Sequence, residues 1–453
     1  MKAAVRHLYG PPEVVTLAEV PPPVLGPGQL MVRVYATTVN RTDCALREGK
    51  PFLWRLLVGP RRPRLKILGC EYAGVVEEAA PDVTRFSVGD QVFGYHDTGF
   101  GAHAELLAVT ASGPIALLPT GLSFEQAVPA TEGSHYADTM IRGARIEPGH
   151  EVLVYGATGA IGSAAVQLLH GIGAHVTAVC DAENLDLVRK LGADQVMDRT
   201  AFDQEIQQHR RKGRRHTELS TAPEASTAPE ASAAPVARTK PKASMAPEAS
   251  APSIASTTPK ASTAPVASTA PEASMAPEAS APSVASTAPK ASAPSVASTA
   301  PKASAPSIAS TAPEADATPV AVQGQSPDGY HAVLDAVGKS SFGQCRRLLR
   351  PGGVYVSADL GKGSQNIVLP LAAPLTRLLL QGRRVVFPIP RRTPDMAEHF
   401  RELMQHGTFR PLIDRSYPLG DIVAAHRYVS SGRKVGNVVI VVRTVEPGAP
   451  PVS

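Results

Sequence analysis

The chain has 453 residues, of which 43% are hydrophobic, and its 45 Lys and Arg against 40 Asp and Glu give a net charge of +5. So small an excess over this length does not argue for a nucleic-acid partner, and no apolar run approaches the roughly 20 residues that a membrane-spanning helix needs. The four cysteines, Cys44, Cys70, Cys180 and Cys345, show no paired spacing, and the start Met-Lys-Ala-Ala-Val-Arg-His lacks the apolar core of a signal peptide. Free thiols and a cytoplasmic location are expected.

The first 120 residues read as short strands separated by Pro and Gly, for instance Leu30–Ala36, Tyr72–Glu77 and Gln91–Gly94, which implies a β-rich domain. From Phe124 the pattern changes. Strands are expected at 152–155, 175–179 and 195–197, alternating with helices at 160–171, 183–191 and near 202–211. After a long interruption come strand His331–Ala336, helix 341–349, strand 353–357 and strand Arg384–Pro388. Alternation of this kind implies an α/β fold built on a doubly wound parallel sheet.

Residues 151–169 carry the most information, because the apolar strand Val152–Tyr155 runs through a glycine-rich turn into the small-residue helix Ala160–Leu169. Gly156, Gly159 and Gly162 are expected to let the chain turn tightly, approach a pyrophosphate and pack helix on sheet, with Gly159 and Gly162 both leaving room for the phosphates. The helix N-terminus would aim its unpaired N–H groups at them. The expected dinucleotide contacts are therefore Gly156, Ala157, Thr158, Gly159, Ala160, Ile161 and Gly162.

The interruption, residues 217–318, consists mostly of Ala, Ser, Thr and Pro in near-repeats such as Ala225-Ser226-Thr227-Ala228-Pro229-Glu230, with no aromatic residue. Such a segment cannot offset the entropy of ordering itself and lacks an apolar period to stack as a solenoid. A disordered insertion over 213–326 is expected, set in the connection between a helix and the strand that completes the sheet. Its closure costs little, because that cost grows only logarithmically with length.

Five ordered motifs then point one way. Val39-Asn40-Arg41-Thr42-Asp43 with Arg47 and Gly49, Gly69-Cys70-Glu71-Tyr72-Ala73-Gly74, Val88-Gly89-Asp90-Gln91-Val92-Phe93-Gly94, Gly101-Ala102-His103-Ala104-Glu105 and Lys434-Val435-Gly436-Asn437-Val438-Val439-Ile440 follow one another along the chain. Together with the glycine turn they resemble the medium-chain dehydrogenase/reductase superfamily, in particular its zinc-free, quinone-oxidoreductase-like branch. The resemblance implies a GroES-like catalytic domain over 1–123, completed by 407–446, and a Rossmann cofactor domain over 124–406.

Relatives that use catalytic zinc place a cysteine and a histidine where this chain has Asn40 and Cys70, and a further ligand at a position aligned with Glu132. No metal is expected. Reduction of a quinone or an α,β-unsaturated carbonyl needs no Lewis acid, only a hydride, a hydrogen-bond donor for the developing oxygen and a proton. Asn40 is the candidate donor, His135 and Tyr136 are candidate proton sources, and Asp43 and Glu71 are expected to organise the site. After the second strand of the cofactor domain comes Asp181, which would repel the 2′-phosphate of NADPH and suit the ribose hydroxyls of NADH. The resemblance favours NADP(H); NAD(H) stays open. The leading expectation is a zinc-independent NAD(P)H-dependent reductase of a small carbonyl or quinone, with no nucleic-acid or membrane partner and with a homodimer allowed. The alternatives are an NAD(P)-dependent alcohol dehydrogenase and a non-catalytic nucleotide-binding scaffold with a disordered tether.

Overall fold

The computed structural model describes residues 1–50, 55, 58–208, 328–358, 366, 381–390 and 393–444. All belong to one compact unit drawn from residues 1–223 and 319–453. The expected insertion over 213–326 lies outside the described residues, as do the last positions of the helix expected near 202–211.

The N-terminal part begins with a two-stranded sheet of β1 (Lys2–Arg6) and β2 (Val15–Glu19). A seven-stranded sheet follows, built on β3 (Gln29–Thr38), β4 (Glu71–Ala79), β5 (Gln91–Tyr95), β6 (Leu106–Thr110) and β7 (Ile115–Leu117). Helix α1 (Arg41–Glu48) leaves the end of β3, with Asn40 as its N-cap, and stops at Gly49, whose φ of 66° is the left-handed conformation that glycine adopts without strain. Two short helical segments, α2 (Phe124–Ala127) and the longer α3 (Glu132–Ala144), lead into the second sheet.

That sheet is parallel throughout. It contains β8 (Glu151–Tyr155), β9 (His175–Cys180), β10 (Gln195–Asp198), β11 (Tyr330–Asp335), β12 (Leu349–Ser357) and β13 (Arg384–Val386) in the order β10-β9-β8-β11-β12-β13. Helices α4 (Ala160–Ile172), α5 (Leu185–Lys190) and α6 (199–208) connect its first half. Central strands of such a sheet are covered on both faces, which is why Val152, Leu153, Val154, Val333 and Leu334 form continuous apolar runs that are fully buried. The strand order reverses between β8 and β11, and in open α/β sheets that is where a crevice opens for a ligand.

The remaining elements return to the first sheet. Helix α7 is Phe342–Cys345; α8 (Asp395–Gln405) packs against β5 and β7, β14 is Ile413–Pro418, α9 is Ile422–Ser430, and β15 (Asn437–Val441) pairs antiparallel with β3 and parallel with β14. Among the described residues no helix is long and apolar enough to cross a membrane.

Three expected elements need correction. The helix expected over 341–349 is only the single turn α7, because Leu349 already pairs with Tyr330 in the sheet and the Pro351-Gly352-Gly353 sequence bends β12 rather than preceding it. The helix expected over 183–191 begins as a 3-10 turn, Ala182–Asn184, before α5. Strand β13 ends at Val386, two residues short of the expected Pro388, where a proline has no N–H to give a ladder.

Candidate active site

A cleft opens at the carboxyl ends of β8, β9 and β11, at the switch point. It is lined by Gly156, Thr158 and Gly159 on the glycine turn, Asp181 and Arg199 past β9 and β10, Val337 and Lys339 past β11, and the 432–435 turn before β15. Gly156 has a φ of 80°, and a Cβ there would lie 2.7 Å from the Val337 side chain. Gly159 caps α4, and a Cβ on it would meet nothing nearer than 3.7 Å. A helix that starts at the wall of the cleft, with free first-turn N–H groups, is a cradle for an anion. These residues fit a dinucleotide.

Gly162 plays a different part from the one expected. A Cβ there would come within 2.1 Å of the Gly156 carbonyl oxygen and 2.8 Å of Ala157 Cα, so the absent side chain lets α4 lie on its own turn rather than admitting phosphate. Ala157 is fully buried beneath the turn. Neither residue lines the cleft, nor do Ala160 and Ile161. Of the eight expected cofactor contacts, Gly156, Thr158, Gly159 and Asp181 do.

Asp181 does not face the cleft as a bare charge. Arg199 forms an ion pair with it, and the hydrogen bond that the guanidinium donates to Asp181 holds it above its ordinary pKa. The parallel register pairs Asp198 with Cys180, which brings the next residues, Arg199 and Asp181, side by side. Arg199 was legible only through that register. The β11 wall of the cleft is set by Asp335, a fully buried carboxylate. Its Oδ1 accepts from Val337 N at 3.1 Å and Gly338 N at 2.9 Å; its Oδ2 accepts from Ser340 N at 2.9 Å, Ser340 Oγ at 2.8 Å and Tyr355 Oη at 3.1 Å. Opposite, Gly436 N donates to Thr158 O at 2.6 Å, tying the 432–436 turn to the glycine turn. Lys434 donates to Gly436 O at 2.6 Å, and burial draws its ammonium down to about 8.

A buried polar cluster lies where α3 begins. The first turn of α3 touches the first turn of α4: a Cβ on Gly133 would sit 2.9 Å from the Ala160 backbone. Glu71 accepts from Thr38 Oγ1 at 2.7 Å, Asn40 Nδ2 at 2.8 Å, Thr131 N at 3.0 Å, Thr131 Oγ1 at 2.8 Å and Glu132 N at 2.6 Å. It therefore fastens β4 to the N-terminus of α3. Glu132, also buried, accepts from Asn40 Nδ2, from Thr42 Oγ1 and from the Cys70 thiol, the last at 3.2 Å. Burial, reinforced by Glu71 and Asp43, pushes its carboxyl up to about 8.

This geometry changes the roles expected of the candidate catalytic residues. Asn40 Nδ2 carries two hydrogens and already faces three acceptors, Thr38 Oγ1, Glu71 Oε2 and Glu132 Oε2. Its amide is spent inside the cluster and has no hydrogen left for a substrate oxygen. His135 is 5% exposed, its Nε2 has no hydrogen-bond partner among the described residues, and burial lowers its pKa and so favours the neutral ring, which lies 6.4 Å between centroids from both Tyr95 and Tyr136. A neutral imidazole is a poor proton source. Tyr136 keeps its phenolic proton, since burial and Glu132 push its pKa upward. Sequence reasoning singled out Glu132 only as an aligned zinc position and passed over Thr42 and Tyr95. Among the described residues no group of three or more His, Cys, Asp or Glu is placed to hold a metal ion.

Family models match three stretches: an alcohol dehydrogenase GroES-like domain over residues 26–120, and zinc-binding dehydrogenase domains over 160–240 and 309–440. The chain belongs to the medium-chain dehydrogenase/reductase superfamily. It is 33% identical over 182 residues to the trans-enoyl reductase pgmF of Aspergillus terreus, a match covering 38% of this chain and 49% of that one. A mycocerosic acid synthase-like polyketide synthase of Mycobacterium tuberculosis is 35% identical over 189 residues, which is 41% of this chain and 8% of the synthase. The chain thus spans about half the length of the stand-alone reductase. In fold it resembles the quinone oxidoreductase of Coxiella burnetii, with a TM-score of 0.62 at 19% identity over 98% of this chain and 99% of the other.

Proposed function

We propose that this chain is a zinc-independent NAD(P)H-dependent oxidoreductase that reduces a quinone or an α,β-unsaturated carbonyl. The observation that carries the reading is the pairing of a switch-point cleft with the Asn40 amide: at the place where zinc-using relatives present a cysteine lone pair, Asn40 presents N–H donors to Glu71 and Glu132. A donor aimed inward does not fit a metal, which needs deprotonated S, N or O ligands. When bound, the dihydronicotinamide would supply the hydride. The protein would hold the pyrophosphate at Gly159 and the N-terminus of α4, and would keep water from the reacting atoms with the buried wall around Tyr95 and Tyr136. We assign the catalytic domain to the seven-stranded sheet with α8, β14 and β15, placing the boundary before α8, because that helix packs on β5 and β7.

The named relatives support the reading: one is a trans-enoyl reductase and a structural neighbour is a quinone oxidoreductase. The test is oxidation of NADPH and NADH by the purified chain against a panel of quinones, enones and aldehydes, with elemental analysis of the same sample. Turnover of an enone or quinone that survives a strong chelator is expected. About one zinc per chain, lost together with activity toward an alcohol, would replace this reading with an alcohol dehydrogenase.

For the cofactor we propose NADP(H), gripped by Arg199. The ion pair neutralises Asp181, so the carboxylate no longer repels a 2′-phosphate, and the guanidinium offers it a forked donor. Arg199→Ala is expected to lower kcat/KM for NADPH about tenfold, on the order of 1.4 kcal/mol at this half-exposed site, and to leave NADH nearly unchanged. Asp181→Ser should move the NADPH/NADH ratio the other way, by roughly 1 kcal/mol. Equal losses with both cofactors in Arg199→Ala would show that the residue does not read the 2′-phosphate.

A further inference from the structure

Three carboxyl groups share the buried neighbourhood at the start of α3, and in two of them each oxygen accepts at least one N–H, a group that cannot take a proton in return. Asp43 accepts from Asn40 N at 2.8 Å and Gly69 N at 2.9 Å, and Glu71 accepts from the donors given above. Glu132 differs. Its Oε2 faces the Asn40 amide and the Cys70 thiol, both donors, so that oxygen has no use for a hydrogen. Among the described residues its Oε1 faces the Thr42 hydroxyl alone, which can accept as well as donate and is partly exposed. A proton on Glu132 therefore belongs on Oε1. From there it has one outlet.

We propose that Glu132 is the proton source of the reaction, holding its proton on Oε1 and passing it through Thr42 Oγ1 to the substrate. The inference rests on the reductase reading above and names the acid within it. As hydride from the dihydronicotinamide adds to the electron-poor carbon, the displaced π pair takes a proton from Thr42 Oγ1, forming the new C–H or O–H bond. Thr42 Oγ1 in turn takes the proton from Oε1. Glu132 is left as a carboxylate, still bonded by Asn40, Cys70 and Thr42, until solvent returns the proton. One hydride and one proton account for the two electrons and two hydrogens gained.

The surroundings favour this acid. The cluster gathers Glu71 and Cys70 at the start of β4, Asp43 on α1, Tyr95 on β5 and Tyr136 on α3 itself, while the turn before β15 brings the Lys434 ammonium. The two carboxylates and the loss of solvent outweigh the ammonium and push Glu132 up to about 8, so it enters the reaction protonated at neutral pH. Cys70 does not compete: burial and Glu132 hold its thiol well above the usual range.

Difference infrared spectroscopy on the full chain without cofactor tests the carboxyl directly. A protonated-carboxyl band that bleaches as pH rises through about 8, absent in Glu132→Gln and retained in Lys434→Met, is expected. In turnover, kcat of the unmodified chain should fall through the same pH range; Glu132→Gln should lose about 100-fold or more in kcat and that limb of the profile, with cofactor affinity unchanged. Thr42→Val should behave likewise and Thr42→Ser should recover, a pair that carries the kinetic test if Glu132→Gln does not fold. A band that persists in Glu132→Gln, no band in the unmodified chain, or full turnover with an unaltered pH profile in Glu132→Gln or Thr42→Val would overturn the proposal. A titrating band with no turnover of any quinone or enone would support the protonated carboxyl and overturn the reductase reading instead.

Discussion

Gly162→Ala is expected to cost the protein its dinucleotide-binding fold, whereas Gly159→Val is expected to fold normally and lose its cofactor. Both glycines sit in one motif, three residues apart, and the difference lies in what a side chain would meet. At Gly162 even a single Cβ would lie 2.1 Å from the Gly156 carbonyl oxygen, 2.8 Å from the Gly156 carbonyl carbon and 2.8 Å from Ala157 Cα. All three are backbone atoms of the turn itself, which cannot swing aside as a side chain can. Relief would require α4 to back away from β8, breaking a contact that buries Ala164, Ala165 and Val166. Overpacking of this kind costs about 3 kcal/mol or more, a large part of the margin of an ordinary domain. At Gly159 the nearest atoms would be 3.7 and 3.9 Å away, the φ of −71° suits any residue, and the added methyls would stand in the cleft. Thermal unfolding and fluorescence titration with NADPH separate the two. Gly162→Ala should melt far below the unmodified chain, and Gly159→Val should melt with it and bind at least tenfold more weakly. Normal stability in Gly162→Ala would mean that the turn and helix do not meet as described.

The contrast shows what kind of information the sequence holds. The parallel sheet was legible because its buried strands are unbroken apolar runs, and the glycine turn because strand, turn and helix follow one another within 19 residues, 151–169. What a given glycine spares is not local: it depends on which backbone returns past it. The same limit applies to the candidate site. Asn40 and Glu132 are 92 positions apart, and Asp181 meets Arg199 only because β9 and β10 lie in one particular register. The family resemblance marked Asn40 as a hydrogen-bond donor, which it is. Only the fold reveals that its two amide hydrogens are shared among Thr38, Glu71 and Glu132.

Asp335→Ala is expected to lower stability by about 3 to 5 kcal/mol and to weaken cofactor binding, although Asp335 does not line the cleft. The carboxylate is fully buried, and its two oxygens are the acceptors for Val337 N, Gly338 N, Ser340 N, Ser340 Oγ and Tyr355 Oη. Alanine would leave the three N–H groups of that turn with no acceptor, that of Ser340 buried and those of Val337 and Gly338 part-buried, each costing on the order of 1 to 3 kcal/mol if water cannot reach it. The two hydroxyls fare better, since Ser340 Oγ and Tyr355 Oη lie 3.2 Å apart and can bond each other. To satisfy the backbone the 337–340 turn would have to loosen toward solvent. Val337 and Lys339 on that turn form one wall of the cleft, and Val337 also packs over Gly156. The loss of affinity follows from that movement. Asp335→Asn keeps one carbonyl oxygen but turns an N–H2 group toward donors, so it should lie between alanine and the unmodified chain in stability. Urea unfolding of the three proteins, with NADPH titration of each, gives the order. If Asp335→Ala unfolds at the same urea concentration as the unmodified chain, those N–H groups have water as a partner and the carboxylate is not what holds the wall in place.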